Sequence, residues 1–354
     1  MGDNDYHFKV EKGKHNMLKT WNKQYVLVIL VLMVSVLAAC GNSGSNSNSN
    51  SASPSPTVEA TTETSPPAAE ESATRVYKDG LGREVTIPTH PKKVIALQYL
   101  PEMMALETKP TGVASHLLNG FTYMKDQIAG IPDIGPTNDP NLEKILELEP
   151  DLIITAEWSK DLVESLNKIA PTIVLTWEGL DAVAHFKNVA DALGQSDKAE
   201  AWLQNFNKEA EEARAALASK VETGETFGAV VIGGFEKGQL RVYGDGNVGY
   251  TLFNTLQFPM TDFVQTEWNK GDNELGINLS MEKLPEYASA DRLFVVRFDN
   301  DKDFLKQIDE SSLWQNLPAY KNKKIYTVDS NLWFSYDVLS FQAQLKDAVR
   351  LLSE

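Results

Sequence analysis

The chain has 354 residues and a formal net charge of −16, with 33 Lys and Arg against 49 Asp and Glu. At roughly 150 residues per domain it has room for two domains, and 42% hydrophobic content allows sizeable cores. An acidic chain with no basic cluster in its folded part argues against nucleic acid as a partner. The single cysteine, Cys40, excludes an internal disulfide and a cysteine-based zinc site.

Residues 25–39 (YVLVILVLMVSVLAA) form an uncharged apolar run behind Lys19 and Lys23. The run is short for a membrane span, which needs about 20 residues. A positive start, an apolar centre and small residues at the end describe a secretory signal over residues 1–39; an uncleaved anchor helix is the alternative. Residues 1–16 are long and charged for such a leader, and Met17 makes a more ordinary start. The ending Leu37-Ala38-Ala39-Cys40 resembles a bacterial lipobox. That resemblance implies cleavage before Cys40 and a diacylglyceryl group on its sulfur, the one covalent addition expected. The protein is then expected outside the cytoplasm, held at the cell membrane by lipid. Residues 41–73 are rich in Ser, Asn, Thr, Pro and Glu and carry too little apolar surface to fold. Residues 40–73 therefore read as a lipidated cysteine with a flexible tether.

The folded part starts near Thr74. Residues 75–88 predict a β-hairpin with its turn at Asp79-Gly80. Residues 93–97 and 110–114 predict short strands, with a helix from Pro101. Residues 151–155 and 171–175 predict two more strands, followed by Trp158 and Trp177, and residues 181–193 a helix closed by Gly194. Residues 196–220 carry apolar side chains at helical spacing (Trp202, Leu203, Phe206, Ala210, Ala213, Leu217). Ser196 suits the N-cap and Gly224 a stop beyond the end. After it, residues 227–232, 239–243, 292–298 and 324–328 predict strands, and 249–256, 313–317 and 340–352 helices. The segments 141–155 and 280–297 share one grammar: a short helix opening with Glu-Lys (Glu143, Glu282), a turn, an Asp (Asp151, Asp291) and an apolar run. The expected organisation is α/β, with two similar lobes over residues 74–195 and 222–354 joined by one long helix over 196–221.

The order D-G-x-G-R-x-V-x-I-P (79–88), P-K-K-V-I-A-L (91–97), K-P-x-G-V (109–113) and G-P-T-N-D-P-N-L-E-K-I-L-x-L-x-P-D-L-I-I (135–154) resembles the substrate-binding lipoproteins of iron–siderophore ABC importers. That superfamily includes ferric-hydroxamate, ferric-citrate, ferric-catecholate and vitamin B12 binders. The resemblance implies two Rossmann-like lobes joined by a rigid helical backbone, a ligand cleft between the lobes, a ligand that brings its own Fe(III), and no catalysis. It also implies that one Glu per lobe docks on the permease dimer. Glu143 carries this over directly, and Glu282 through the internal repeat. A monomer is expected.

Ligands of open α/β sheets sit beyond the C-terminal strand ends, which makes Tyr99, Trp158 and Trp177 cleft candidates. Arg241 and Tyr243 alternate on one face of their strand, and Arg297 ends another. Such arginines suit paired N–H donation to carboxylate or hydroxamate oxygens, or internal salt bridges. Trp333 and Tyr336 lie in an aromatic loop past a strand; in the resembled family an aromatic residue near Trp333 often touches the siderophore. Residues 244–249 match G-x-G-x-x-G, but an exported chain meets little dinucleotide; a turn that lets backbone approach a ligand is the better reading. Only His90, His116 and His185 remain after leader removal, which is unlike a free-metal binder, and His116 is a further candidate for ligand contact. Hydroxamate or citrate cargo is expected ahead of a highly anionic catecholate. The alternatives are a haem or cobalamin binder of the same superfamily and, more remotely, an exported carboxylate-dependent hydrolase, although G-x-S-x-G and H-E-x-x-H are absent.

Overall fold

The computed structural model describes residues 73–234, 237–271 and 275–354. The leader, Cys40 and nearly all of the tether lie outside the described residues. Ala69–Glu354 form one compact unit, which contains both lobes.

The N-terminal lobe opens with the expected hairpin, β1 (Thr74–Lys78) against β2 (Glu84–Pro88). Its turn is built by Asp79, whose buried carboxylate accepts from the Leu81 and Arg83 amides and from the Arg83 guanidinium. The same carboxylate accepts from the amide of Val174 at 3.2 Å, which ties the hairpin to the sheet. That sheet has four parallel strands, β3 (Val94–Ala96), β4 (Gly112–Val113), β5 (Leu152–Ala156) and β6 (Thr172–Leu175), in the order β4-β3-β5-β6. Every residue of β3, β5 and β6 is buried. Continuous apolar runs are what a parallel sheet covered on both faces requires. One face (Val94, Ala96, Ile154, Leu175) meets the helices Leu100–Ala105 and Ala182–Ala192; the other (Ile95, Leu97, Ile153) meets Ile134, Ile145 and Leu166. Gly194 closes the helix Ala182–Ala192 with φ of 66°, and a Cβ there would lie 2.1 Å from the carbonyl of Thr89.

The connecting helix is Ser196–Leu217, 22 residues or about 33 Å. Ser196 is its first helical residue rather than its cap; Gln195 takes that place and offers no side-chain bond. The helix also stops at Leu217, well before Gly224. Its apolar stripe joins both lobes: Ala199 and Leu203 pack in the N-terminal core, Phe206, Ala210, Ala213 and Leu217 in the C-terminal core, and Trp202 against both.

The C-terminal sheet has five strands, β7 (Phe227–Ile232), β8 (Leu240–Tyr243), β9 (Ile277–Asn278), β10 (Arg292–Arg297) and β11 (Ile325–Val328), in the order β11-β10-β7-β8-β9. β7, β10 and β11 are parallel, whereas β8 is antiparallel to both of its neighbours. One face (Phe227, Ala229, Val231, Phe294, Val296) packs on the connecting helix and the C-terminal helix Val338–Ser353. The other (Val230, Ile232, Leu293, Val295) packs on Ile308 and Trp314. The stretch expected as a helix over 249–256 is a single π-helical turn, Thr251–Thr255.

The repeated segments hold equivalent places. β5 and β10 each flank the first strand of their sheet, and the Asp before each holds that strand's start. Asp151 accepts from the amides of Lys92 and Lys93 at 2.7 and 3.0 Å; Asp291 accepts from the amide and hydroxyl of Thr226, both at 2.8 Å.

The lobes also meet at a buried acid cluster. Asp337 caps the C-terminal helix through the Ser340 amide and accepts from the Tyr123 hydroxyl at 2.8 Å. Burial pushes Asp337 up to about 6, and burial together with the Asp337 charge pushes Glu102 up to about 8.

Candidate functional site

The order β4-β3-β5-β6 reverses direction at β3, so the loops after β3 and β5 leave the sheet at a topological switch point, where open α/β folds bind ligands. Tyr99 and Trp158 lie on those two loops, and Trp177 follows β6. The three rings gather: Trp177 lies 5.6 Å from Tyr99 and 5.7 Å from Trp158, centroid to centroid. They are not equally available. Trp158 is 48% exposed and Trp177 half-buried, whereas Tyr99 is 1% exposed and donates its hydroxyl to the carbonyl of Leu175 at 3.0 Å. Tyr99 is thus a support beneath the Trp pair, not a contact surface. It sits at φ 67°, a left-handed backbone that costs a bulky residue about 1–2 kcal/mol.

Tyr336 marks the seam between the lobes. Its half-buried hydroxyl accepts from the Ala182 amide, while burial, Tyr250 and the Asp181 carboxylate raise it to about 12. Tyr250 meets it edge to face at 5.9 Å and stacks on Phe341 at 4.0 Å. Asp181 caps the helix that follows Trp177 and accepts from Ala184 at 2.7 Å. The Trp177 side of the N-terminal lobe therefore leads directly to the Tyr336 side of the C-terminal lobe.

The remaining candidates in the C-terminal lobe are engaged within that lobe. Trp333 is 0% exposed, packs 5.0 Å from Phe294 and donates its indole N–H to Asp347 at 2.8 Å. It belongs to the core and presents no surface to a ligand. Arg297 shares the face of Leu293 and Val295 and pairs bidentately with Asp309 at 2.9 and 2.7 Å, the internal salt bridge. Arg241 and Tyr243 do share a face: both donate to the carbonyl of Leu275, at 3.2 and 2.9 Å. Arg241 also lies 5.9 Å from the Tyr243 ring centre and 5.5 Å from that of Phe334. Each is 1% exposed, so both form the inner wall of the lobe rather than its open surface.

The glycine run is likewise internal. Because β8 is antiparallel, Leu240, not Tyr243, is level with Ile232 at the end of β7. A Cβ on Gly244 would lie 2.4 Å from the Trp268 ring, and one on Gly249 would lie 1.8 Å from the carbonyl of Gly244. The turn needs glycine to seat Trp268 and to close on itself, which replaces the ligand-approach reading.

His116 is exposed at the rim and ties three loops, 3.2 Å from Gln98 Oε1 and 2.7 Å from Thr137 Oγ1; desolvation lowers it from its ordinary value. Glu143 and Glu282 are both exposed, each in the first turn of a short helical segment. Among the described residues no group of three or more His, Cys, Asp or Glu is placed to hold a metal ion. His185, noted in the sequence only as one of few histidines, and Phe334 are the residues the site adds. A helix-face argument finds the first only once Trp177 is known to lie over it.

Two α/β lobes spanned by one helix, with half-exposed aromatics at the switch point of the first, define a solute-binding protein rather than an enzyme. The chain belongs to the periplasmic binding protein family, whose model matches residues 101–332. It is 30% identical to the iron(3+)-hydroxamate-binding protein YxeB of Bacillus subtilis, over 80% of this chain and 86% of that protein. It is 28% identical to the Fe(3+)-citrate-binding protein YfmC of the same organism, over 80% and 87%. Among solved structures it resembles the FhuD fold-family binding component of a Fep/Fec-like ferrichrome ABC transporter from Bacillus subtilis, with 28% identity and a TM-score of 0.68, covering 78% of this chain and 100% of that one. It also resembles Staphylococcus aureus SirA complexed with staphyloferrin B, with 26% identity and a TM-score of 0.64, covering 79% and 99%.

Proposed function

We propose that this protein captures a ferric siderophore outside the cytoplasm and delivers it to an ABC permease. The observation that carries this reading is the likeness, over 80% of the chain, to a protein named for iron(3+)-hydroxamate binding. The chelate brings Fe(III) with its ligands already supplied, so the protein's part is shape, stacking and exclusion of water. Trp158, Trp177 and Tyr336 are the surfaces offered to it, with Arg241 and Tyr243 behind the opposite wall.

Charge favours a hydroxamate. Three hydroxamates neutralise Fe(III), whereas ferric citrate brings net negative charge toward the carboxylates of Glu157 and Asp181, close to the same aromatics. Citrate is the second reading, supported by the likeness to YfmC. Residues 1–39 act as a signal, and a diacylglyceryl group at Cys40 holds the protein at the membrane. Glu143 and Glu282 dock one on each half of the permease dimer, and the protein acts as a monomer.

Calorimetric titration with ferrichrome, ferric citrate, a ferric catecholate, haem and cobalamin tests the cargo. Submicromolar binding of the ferric hydroxamate, weakened about 10-fold or more by Trp177→Ala, is the expected outcome. Haem binding with a Soret band, or no binding of any ferric complex by folded protein, would overturn the assignment. Charge reversal at Glu143 and Glu282 is expected to abolish iron uptake by cells while leaving the titration unchanged.

A further inference from the structure

Trp177 is held in place by more than packing. Its amide donates to both oxygens of the Glu157 carboxylate, at 2.8 and 3.0 Å. Its carbonyl lies 3.0 Å from His185 Nε2. A carbonyl can only accept, so Nε2 carries the proton and donates. The same imidazole lies beneath the indole, 4.1 Å between centroids and 25° between planes. One side chain thus fixes both the peptide and the ring of Trp177.

This arrangement costs stability. His185 is 1% exposed, and its buried Nδ1 has no hydrogen-bond partner among the described residues. A buried acceptor without a partner is destabilising. A leucine would fill the space without that penalty; histidine adds a flat face and a directed donor on one side chain. Desolvation lowers His185 from its ordinary value despite the nearby Asp181 and Glu157, which keeps the ring neutral. The residue comes from the helix Ala182–Ala192, whose first residue, Ala182, is buried in the C-terminal core. Trp177 is therefore held by a helix of its own lobe whose first residue is packed in the other.

We infer that His185 is a positioning residue for ligand binding, fixing Trp177 in the pose it presents to the chelate, with Glu157 holding the same peptide from the turn just after β5. The inference rests on the proposed role of Trp177 as a ligand-facing wall.

The test uses the purified protein, ferrichrome as probe, and the variants His185→Ala, His185→Gln and Trp177→Ala. Thermal unfolding verifies that each is folded. His185→Ala is expected to weaken ferrichrome binding about 10-fold and to alter the near-ultraviolet circular dichroism that Trp177→Ala removes. His185→Gln, which keeps a donor near the Nε2 position without the flat ring, is expected to recover much of the affinity. If Trp177→Ala weakens binding but both His185 variants bind within twofold of wild type with an unchanged Trp177 signal, the positioning role is overturned while the site stands. If Trp177→Ala itself binds like wild type, the ligand-wall reading falls and takes the inference with it.

Discussion

Asp151 and Asp291 hold equivalent places in the two lobes, and their surroundings differ. Each carboxylate gathers the backbone at the start of its lobe's first strand. Around Asp151 the neighbouring ion pair, Lys93 with Glu149, is exposed. Around Asp291 the corresponding charges are buried: Glu225 takes Arg292 at 2.9 Å and also Lys324, and Arg292 reaches the Tyr326 hydroxyl at 3.0 Å. The aromatics divide the same way. Beyond its strands the N-terminal lobe leaves Trp158 and Trp177 partly open, whereas the C-terminal lobe folds Tyr243 and Trp333 into its core. One repeat supports two uses: a lobe that presents rings to solvent, and a lobe held together by buried rings and charges.

The sharpest test of this contrast is a pair of Trp truncations. Trp333→Ala removes a wholly buried ring and the indole donor to Asp347, and is expected to cost about 3–5 kcal/mol in urea unfolding. Trp158→Ala, at 48% exposure, is expected to change stability by about 0.5 kcal/mol or less while weakening ligand binding. Equal losses would erase the distinction between the lobes.

Acid should single out the C-terminal lobe next. Burial alone would raise Glu225, but hydrogen bonds from Arg292 and Lys324 win and hold it down to about 2. A depressed carboxylate contributes stability above its unfolded value of about 4.3, and loses that contribution as pH falls toward 2. The difference is worth up to about 3 kcal/mol, which Glu225→Gln should remove at pH 7 but not at pH 2, as read by denaturant midpoints. An unchanged pH profile in the variant would mean that the cluster contributes nothing.

The seam is tested at the other end of the pH scale. Glu102 is raised to about 8, so the sign is opposite: its contribution is complete below about pH 4.3 and is lost as pH rises through 8. Glu102→Gln is expected to raise the melting temperature at pH 9 and to raise it several times less at pH 5. A larger gain at pH 5 than at pH 9 would rule out the buried proton.

The sheets were legible because parallel strands covered on both faces read as unbroken apolar runs; residues 151–155, 227–232 and 292–298 each fall within a residue or so of β5, β7 and β10. The repeat was legible for the same reason that it works, since an Asp at a strand start leaves a fixed spacing. Strand direction was not legible. Nothing local in QLRVY declares that β8 runs against β7, and that reversal takes the glycine turn away from the strand end. Nor does an aromatic past a strand declare its burial: Trp158 and Trp333 look alike in sequence and differ because Asp347, 14 residues later, accepts from the second. His185 carried no signal, since its partner Trp177 lies eight residues earlier, before the helix that carries the histidine begins.

Trp202 packs against both cores from the middle of the connecting helix. In calorimetric terms, neither lobe should show a melting temperature of its own. Loosening one strips apolar cover from the ring that completes the other, so heat should be absorbed in one transition, with the van't Hoff and calorimetric enthalpies equal. Replacing Trp202 with a small residue would be the shortest route to two peaks.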